Sequence, residues 1–279
     1  MFLNFNGEVR EAGVALLRTD NRGFRYGDGL FETMLFRGGR IRLGQYHFER
    51  LVGGMRLLGL EFQQAFDRTM LERLIGELCA VNGLDSGVPA RVRVTVFRGG
   101  AGLYNTLDKE AAYCIEVSGL TGGGWKEDGF ALAVFADGRK AIDAYSGIKS
   151  NNYQLSTVAG MFAAQQGFDD CLLLNNHGRV VETTMANIWW VREGRFFTPP
   201  LSEGCVAGVM RRWLLGALAA AGYDVREAPI RPEELAEMDE IFISNAIRGV
   251  QWVRDLSGQG FSCRLSAAIY DEIIPKIQV

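Results

Sequence analysis

One lysine of the chain, Lys149, stands between an apolar segment and a polar run that is typical of a helix start. The local sequence is Gly147-Ile148-Lys149-Ser150-Asn151-Asn152-Tyr153-Gln154-Leu155. Desolvation destabilises an ammonium group among apolar neighbours, which lowers its pKa and frees the amine to attack an aldehyde. Lys149 is therefore the first candidate for a catalytic residue. For a lysine taken alone, a solvated side chain at a helix start is the commoner case.

A carboxylate further along the chain, Glu182, is the second candidate. Residues 170–182 contain an apolar run, an Asn-Asn-His-Gly turn and a second apolar run, which predicts two strands with Glu182 near a strand end. A carboxylate among apolar strands is costly unless it meets a cation, and a protonated ring nitrogen is such a cation. The alternative is an exposed carboxylate at the end of a strand.

A possible anion site follows at residues 201–215, where a turn of small residues runs into an apolar helix. Amide groups at a helix N-terminus bind phosphate well, and Gly208 would allow a close approach to those of Val209 and Met210. Arg50 could complete such a site with a bidentate guanidinium contact. Taken singly, Gly208 is typical of a turn, and Arg50 is typical of the exposed face of an amphipathic helix.

Taken in this order, the segments resemble the class IV aminotransferases, which are the fold-type IV pyridoxal-phosphate enzymes. That family includes branched-chain aminotransferase, D-amino acid aminotransferase and aminodeoxychorismate lyase. The matching segments are residues 24–33, 47–50, 149, 182–187, 208–211 and 242–250. The resemblance implies a mixed α/β fold of two domains, similar to D-amino acid aminotransferase, with pyridoxal 5'-phosphate as cofactor.

Roles for individual residues are implied by the same resemblance. Lys149 would hold the cofactor covalently, Glu182 would face its pyridine nitrogen, and Arg50 would contact its phosphate. Further contacts to the phosphate or to the substrate carboxylate would come from Gly208, Val209, Met210, Asn245 and Ala246. The substrate would meet Phe31, Arg98, Tyr153, Ala246, Ile247 and Arg248.

The reaction is less defined than the family, because removal of a proton from the substrate Cα starts both transamination and elimination. Phe31 stands where D-amino acid aminotransferases carry a tyrosine, which argues against a D-amino acid substrate. With Tyr153 and Trp252 it would line an apolar pocket for a branched-chain or aromatic L-amino acid. Arg98 and Arg248 would instead suit aminodeoxychorismate, which carries two carboxylates.

We therefore predict an aminotransferase that acts between an L-amino acid, possibly branched-chain, and a 2-oxo acid. The alternative is aminodeoxychorismate lyase, which releases pyruvate and 4-aminobenzoate in the folate pathway. A D-amino acid aminotransferase and a non-catalytic cofactor-binding protein are further alternatives. The resemblance also implies a homodimer in which a small-domain loop of one subunit completes the site of the other.

Composition sets wider limits on function. The net charge of −3 gives no reason to expect binding to nucleic acid or to a membrane surface. Five scattered cysteines lack the spacing of a disulfide framework, and neither they nor the two histidines suggest a metal site. The sequence has no signal-peptide pattern at its start and no apolar run that could span a membrane, so we expect a cytoplasmic enzyme.

The domain organisation is predicted from a glycine-rich run at residues 119–124. We expect a small N-terminal α/β domain at residues 1–118, a linker at 119–127 and a larger C-terminal α/β domain at 128–279. The helical spacing after Asp67 and the alternation at residues 89–97 predict a helix and a half-buried strand in the first domain. Strands and helices interleave without a regular β-α-β order, which favours mixed domains over a doubly wound sheet.

Overall fold

The computed structural model describes residues 1–84, 87–105 and 107–277 of the chain and divides it into two compact units. The first unit contains Met1–Gly123 and Ile148–Asn152, and the second contains Gly124–Gly147 and Tyr153–Ile277. The lysine segment therefore groups with the first unit, although it follows residue 128 in the sequence. The domain boundaries at residues 119 and 127 stay a prediction.

The first unit is a six-stranded antiparallel sheet with two long helices. Its elements are β1 (Phe2–Phe5), β2 (Glu8–Glu11), α1 (Arg22–Tyr26), β3 (Gly29–Arg37), β4 (Arg40–Ile41), α2 (Gly44–Leu58), α3 (Arg68–Val81), β5 (Ala90–Arg98) and β6 (Ala111–Gly119). The strand order is β2-β1-β6-β5-β3-β4. Strand β5 lies between β3 and β6, and its partners run antiparallel to it over nearly its whole length.

Apolar faces of the two helices form the core of this unit against the sheet. Helix α2 contacts β3, and α3 contacts β1 and β6. The helix predicted after Asp67 is confirmed as α3, whose first turn is capped by the Asp67 carboxylate, which accepts from Met70 N at 2.7 Å. Alternate residues of β5, including Val92, Val94 and Val96, are buried in the same core, as the sequence alternation predicts.

The lysine segment is held to the first unit by backbone pairing. Phe31 N donates to the Lys149 carbonyl at 2.9 Å, and Asn151 N donates to the Gly29 carbonyl at 3.0 Å. Ile148 is buried in the core of this unit, next to the helix α2 glycine Gly54. Lys149 is thus fixed at the backbone by a strand and is preceded by a buried apolar anchor.

The second unit is a nine-stranded mixed sheet with helices. Its elements are β7 (Phe130–Val134), α4 (Gln154–Gln165), β8 (Asp170–Leu174), β9 (Val180–Thr183), β10 (Asn187–Arg192), β11 (Arg195–Thr198), α5 (Val209–Ala220), β12 (Val225–Glu227), α6 (Pro232–Leu235), β13 (Glu240–Asn245), β14 (Gly249–Leu256), β15 (Gln259–Gly260) and α7 (Arg264–Ala268). The order is β12-β11-β10-β13-β14-β7-β8-β9, with β15 pairing β14. Single-turn 3-10 helices lie at Leu201–Glu203 and Ile274–Lys276, and a π-helical turn lies at Ile269–Ile273.

The two strands predicted at residues 170–182 are confirmed as the hairpin β8-β9, and a second hairpin, β10-β11, follows them. The first hairpin turns through Asn175, whose side-chain oxygen accepts from the amides of His177 and Arg179 at 2.9 and 3.1 Å. Strands β1, β2 and β14 were not predicted. Exposed charges in β2 hide its strand character, and β14 mixes polar and apolar residues without clean alternation. Across the described residues, no helix combines the length and apolarity needed to cross a bilayer.

The core of the first unit gives a stability prediction. Leu78 of α3 is fully buried, so we expect Leu78→Ala to lower the free energy of unfolding by about 2–5 kcal/mol through lost burial and a cavity. Leu57 of α2 is 46% exposed, and Leu57→Ala should change it by less than about 0.5 kcal/mol. Urea unfolding followed by circular dichroism measures both, and equal effects would contradict the assigned core.

Candidate active site

The Lys149 amine lies over an aromatic ring of the first unit. Its Nζ is 4.6 Å from the centroid of the Phe31 ring, and the Arg93 guanidinium carbon is 3.9 Å from the same centroid. Phe31 is buried in β3, so its ring supplies an apolar support for both cationic side chains. An amine, which can act as a nucleophile, and a guanidinium, which can bind a carboxylate, therefore contact the same aromatic ring.

Gly29 allows this close arrangement of backbone. A Cβ at residue 29 would lie 2.3 Å from the Val96 carbonyl oxygen and 2.6 Å from the Asn151 side-chain amide. Any other residue would therefore separate β3 from β5 or from the lysine segment. Gly29 belongs to the motif on which the family resemblance depends, and close approach of three backbone segments is its physical reason.

Arg50 of helix α2 is paired with buried Glu32, which in turn contacts buried His47. Its Nε and Nη2 donate to the two oxygens of Glu32 at 2.7 and 2.6 Å, and His47 Nδ1 lies 2.6 Å from Glu32 Oε2. Burial opposes ionisation of Glu32, but the charge of Arg50 and the hydrogen bonds from Arg50 and His47 overcome it and lower the pKa of Glu32 to about 2. Burial also lowers the pKa of His47, which favours its neutral form.

Arg98 lies inside the first unit with every donor engaged. Its three nitrogens donate to both Asp28 oxygens and to three backbone carbonyls, at distances from 2.6 to 3.4 Å. The carbonyls belong to Leu58, Gly59 and Asp108. A guanidinium has five N–H groups, so this set matches its full capacity. The structure thus gives Arg98 an internal role that ties β5 to the end of α2, and its contact with substrate stays a prediction.

Glu182 in the second unit is buried and meets a cation that the sequence analysis did not identify. Its carboxylate pairs with Lys140 Nζ and accepts from Val206 N at 2.9 Å. Asn187 Nδ2 lies 3.5 Å from the same carboxylate and donates to the Val206 carbonyl at 3.0 Å. The expectation that a buried carboxylate at residue 182 needs a cation is met within the protein by Lys140.

The start of helix α5 has the geometry of an anion site. Its N-cap residue is Gly208, and no side chain of the described residues caps the first turn. A Cβ at residue 208 would lie 1.8 Å from Asn187 Oδ1, so a side chain at this position would displace the Asn187 amide. The amides of Val209 and Met210 stand in this first turn, where the helix dipole favours a negative charge.

Five more predicted site residues belong to the second unit. Asn245 ends β13, and its side-chain oxygen accepts from the amides of Ile247 and Arg248 at 3.0 and 2.8 Å, which shapes the turn containing Ala246. Tyr153 precedes helix α4, and its hydroxyl donates to the Thr184 carbonyl at 2.9 Å. This bond holds Tyr153 against the turn that follows Glu182.

The predicted residues therefore form two sets. The first unit carries Phe31, Arg50, Arg98 and Lys149, and the second carries Tyr153, Glu182, Gly208, Val209, Met210, Asn245, Ala246, Ile247 and Arg248. Sequence reasoning missed Glu32, His47, Arg93 and Lys140 as their contacts. The acidic Glu32 within the apolar run of β3 and the arginine alternation of β5 were usable signals, whereas no local pattern marks Lys140.

The residues fit a phosphorylated pyridine cofactor by their chemistry. A buried carboxylate at Glu182 suits a protonated ring nitrogen, and the uncapped start of α5 suits a phosphate. Lys149 would supply the amine that the aldehyde group of such a cofactor requires. Among the described residues, no group of three or more histidines, cysteines or acidic residues is placed to hold a metal ion.

The ion pair of Glu32 predicts a pH dependence of stability. The pKa of Glu32 is about 2 in the folded protein, compared with its ordinary value of 4.5. This difference contributes on the order of 3 kcal/mol to the free energy of unfolding above pH ~4.5, and the contribution is lost as the pH falls towards 2. Glu32→Gln should therefore be destabilised at pH 7 but approach the wild type near pH 2.5. Chemical unfolding across this range is the measurement.

The control for that experiment is Glu77→Gln, since Glu77 forms an exposed pair with Arg73 at 2.6 Å in the same unit. An exposed pair contributes at most about 1 kcal/mol, so the control should show little pH dependence. A constant difference between wild type and Glu32→Gln from pH 7 to 2.5 would contradict the assigned ion pair.

The pair of Lys140 and Glu182 predicts a coupling of mutational effects. Lys140→Met leaves a buried carboxylate without its cation, and we expect the cofactor-free protein to lose about 2–4 kcal/mol of unfolding free energy. Adding Glu182→Gln should recover part of the loss, because the uncompensated charge is then removed. Lys126→Met, at a more exposed pair with Asp169, is the matched control and should cost less than about 1 kcal/mol. Additive effects of the two changes would argue against the pair.

Comparison with known proteins places this geometry in a family. A family model for class IV amino-transferases matches residues 29–256. Aminodeoxychorismate lyase from Vibrio harveyi is 30% identical over 241 residues, which cover 85% of this chain and 86% of that protein. Branched-chain-amino-acid aminotransferase from Escherichia coli K12 is 24% identical over 270 residues, which cover 92% of this chain and 85% of that protein.

A solved structure shares the architecture. The crystal structure of 4-amino-4-deoxychorismate lyase from Pseudomonas aeruginosa is similar with a TM-score of 0.80 and 28% identity. The similarity covers 97% of this chain and 99% of that one. The mixed α/β fold predicted from the sequence is thereby confirmed. The chain belongs to the class IV aminotransferases, a family of pyridoxal-phosphate-dependent enzymes.

Proposed function

We propose that this protein is a pyridoxal-phosphate-dependent aminotransferase that moves an amino group between an L-amino acid and a 2-oxo acid. The observation that carries the proposal is the placement of Lys149. Its amine lies over the Phe31 ring, with its backbone fixed to β3 and with Arg93 on the same ring. An α-amino acid needs an amine for its Cα proton and a guanidinium for its carboxylate, and Lys149 and Arg93 supply one of each.

The cofactor would be held by groups from both sets of residues. Lys149 binds it covalently, Glu182 faces the pyridine nitrogen, and Arg50 contacts the phosphate. The amides of Val209 and Met210 at the start of α5, next to Gly208, and the turn at Asn245 and Ala246 add neutral donors. When bound, pyridoxal phosphate supplies an electron sink for the negative charge that remains when a proton leaves the substrate Cα.

The residues of the chain then have defined tasks. Lys149 Nζ takes the Cα proton in its neutral form and later returns a proton, so the same atom serves as base and acid. Lys140 and the Val206 amide hold the Glu182 carboxylate in one orientation. A fixed carboxylate stabilises a protonated ring nitrogen without reorganisation during the reaction.

The choice of an L-amino acid with an apolar side chain rests on Arg98. Its five N–H groups are engaged inside the first unit, whereas the Arg93 guanidinium carbon lies 3.9 Å from the centroid of the Phe31 ring. A site with one such arginine suits a substrate with one carboxylate. Phe31, Tyr153 and Ile247 would line the side-chain pocket, and we propose a branched-chain amino acid as donor.

Aminodeoxychorismate lyase is the second candidate. The observation in its favour is the 30% identity to the Vibrio harveyi lyase, compared with 24% to the Escherichia coli aminotransferase. The guanidinium carbon of Arg248 lies 5.6 Å from the centroid of the Phe130 ring, and Arg248 would meet the second carboxylate. This reaction breaks a bond at the substrate β position after the same proton removal, so Lys149 and Glu182 keep their roles.

We further propose that the enzyme is cytoplasmic, that a linker at residues 119–127 joins its domains, and that it acts as a homodimer. Exposed aromatic side chains support an interface on the first unit, because large solvent-facing aromatic groups are costly on a free surface. Phe24 is 70% exposed and Tyr104 is 79% exposed.

The test begins with the absorbance spectrum of the purified protein reconstituted with pyridoxal phosphate. We expect a protein-bound cofactor band in the wild type and in Lys109→Ala, and none in Lys149→Ala. Lys109 is an exposed lysine of the same unit that pairs with Glu61. A covalently bound cofactor in Lys149→Ala would contradict the central assignment.

The substrate is then identified by product analysis. Adding L-leucine, L-valine or L-glutamate without acceptor should convert the cofactor to its pyridoxamine form and release the matching 2-oxo acid. If no L-amino acid does this and aminodeoxychorismate yields 4-aminobenzoate and pyruvate, the lyase replaces our proposal. If no cofactor is bound at all, both functions are wrong.

A further inference from the structure

Two buried side chains close to Arg50, one acidic and one basic, have no part in the function proposed above. Glu32 on β3 and His47 on α2 are each 1% exposed, and together with Arg50 they form a cluster that we call the Glu32 triad. All three residues belong to the first unit. Placing a carboxylate in an apolar strand is costly, so a buried Glu32 needs an explanation beyond packing.

The geometry of the Glu32 triad fixes the plane of the Arg50 guanidinium. Nε donates to Oε1 at 2.7 Å and Nη2 donates to Oε2 at 2.6 Å, so one edge of the planar group meets both carboxylate oxygens. Two parallel bonds remove rotation about the last side-chain torsions of Arg50. A phosphate held by Arg50 would then meet the other edge, which is formed by Nη1 and Nη2.

His47 fixes the carboxylate in turn. Its Nδ1 lies 2.6 Å from Oε2, the oxygen that also accepts from Arg50 Nη2. Because burial lowers the pKa of His47, the ring is neutral near pH 7 and Nδ1 carries the proton that it donates to Glu32. Among the described residues, His47 Nε2 is buried and has no hydrogen-bond partner. The Glu32 bond is therefore the polar contact that determines the orientation of this ring.

We propose that Glu32 is a positioning residue for phosphate recognition, which holds the Arg50 guanidinium in the orientation that binds the cofactor phosphate, and that His47 holds Glu32. The inference rests on the proposed function, since it takes Arg50 as the phosphate ligand. A guanidinium that is already oriented loses less side-chain freedom when it binds, so the effect appears in affinity. Glu32 touches neither cofactor nor substrate in this role.

The test compares two ligands that differ only in the phosphate. Dissociation constants of pyridoxal phosphate and of pyridoxal are measured on the cofactor-free protein by quenching of tryptophan fluorescence. Glu32→Gln should weaken binding of pyridoxal phosphate by about tenfold, the loss expected for one charge-assisted hydrogen bond, and leave pyridoxal binding unchanged. A merely structural role of Glu32 would weaken both ligands alike, and that outcome would overturn the proposal.

Arg50→Gln separates this inference from the proposed function. If Arg50 binds the phosphate, Arg50→Gln loses affinity for pyridoxal phosphate and not for pyridoxal, and adding Glu32→Gln causes no further loss. Should Arg50→Gln show the selective loss and Glu32→Gln show none, the positioning role is wrong while the phosphate site stands. Equal effects of Arg50→Gln on both ligands would instead refute Arg50 as the phosphate ligand.

A second pair of variants covers the case that Glu32→Gln does not fold. His47→Asn keeps a donor close to the position of Nδ1, whereas His47→Leu removes it at similar volume. We expect His47→Asn to bind pyridoxal phosphate like the wild type and His47→Leu to lose affinity selectively for the phosphorylated ligand. Identical behaviour of the two His47 variants would overturn the role given to His47. Circular dichroism of each variant shows whether it folds, and only folded variants are used to judge the proposal.

Discussion

A single buried carboxylate organises the candidate site in the second unit. Glu182 joins three segments that are far apart in sequence, because it accepts from Lys140 before helix α4, from Val206 before helix α5, and lies beside Asn187 on β10. A buried charge must be satisfied in a definite geometry, so the cost of burying this carboxylate defines where the three segments meet. Gly208 lies so close to Asn187 that a side chain at residue 208 would displace the Asn187 amide.

In the first unit, carboxylates are paired with arginines. Asp28 lies within 2.8 Å of both Arg22 and Arg98, and Glu32 holds Arg50. In each case a fixed carboxylate orients a guanidinium that is nearly or fully buried. The five N–H groups of Arg98 are engaged within the fold, and Glu32 orients the guanidinium of Arg50. Sequence resemblance treats both as ligand-binding arginines, and only their contacts distinguish them.

Much of the fold could be predicted from local patterns. Helix α3 follows from the Asp67 cap and apolar spacing, and β5 follows from strict alternation, because both depend on neighbouring residues. Strand β14 lacks such a pattern, since its pairing with β13 and β7 compensates for a mixed sequence. The candidates Lys149, Glu182 and Arg50 were named from residue type and order. The partners of Glu182 and Arg50, which are Lys140 and Glu32, depend on tertiary contacts, which no window of sequence contains.

The grouping of Ile148–Asn152 with the first unit has a consequence for how the chain is made. The chain passes from one unit to the other at Gly123, returns at Ile148 and leaves again after Asn152. A fragment that ends at Gly123 would lack Ile148 in its core and the backbone partner of Phe31 and Gly29. During synthesis the first unit therefore stays incomplete until residue 152 has emerged from the ribosome, and Gly29 and Phe31 at the start of β3 lack these hydrogen-bond partners until then. Lys149, the proposed catalytic residue, lies in the segment that completes the fold of the first unit.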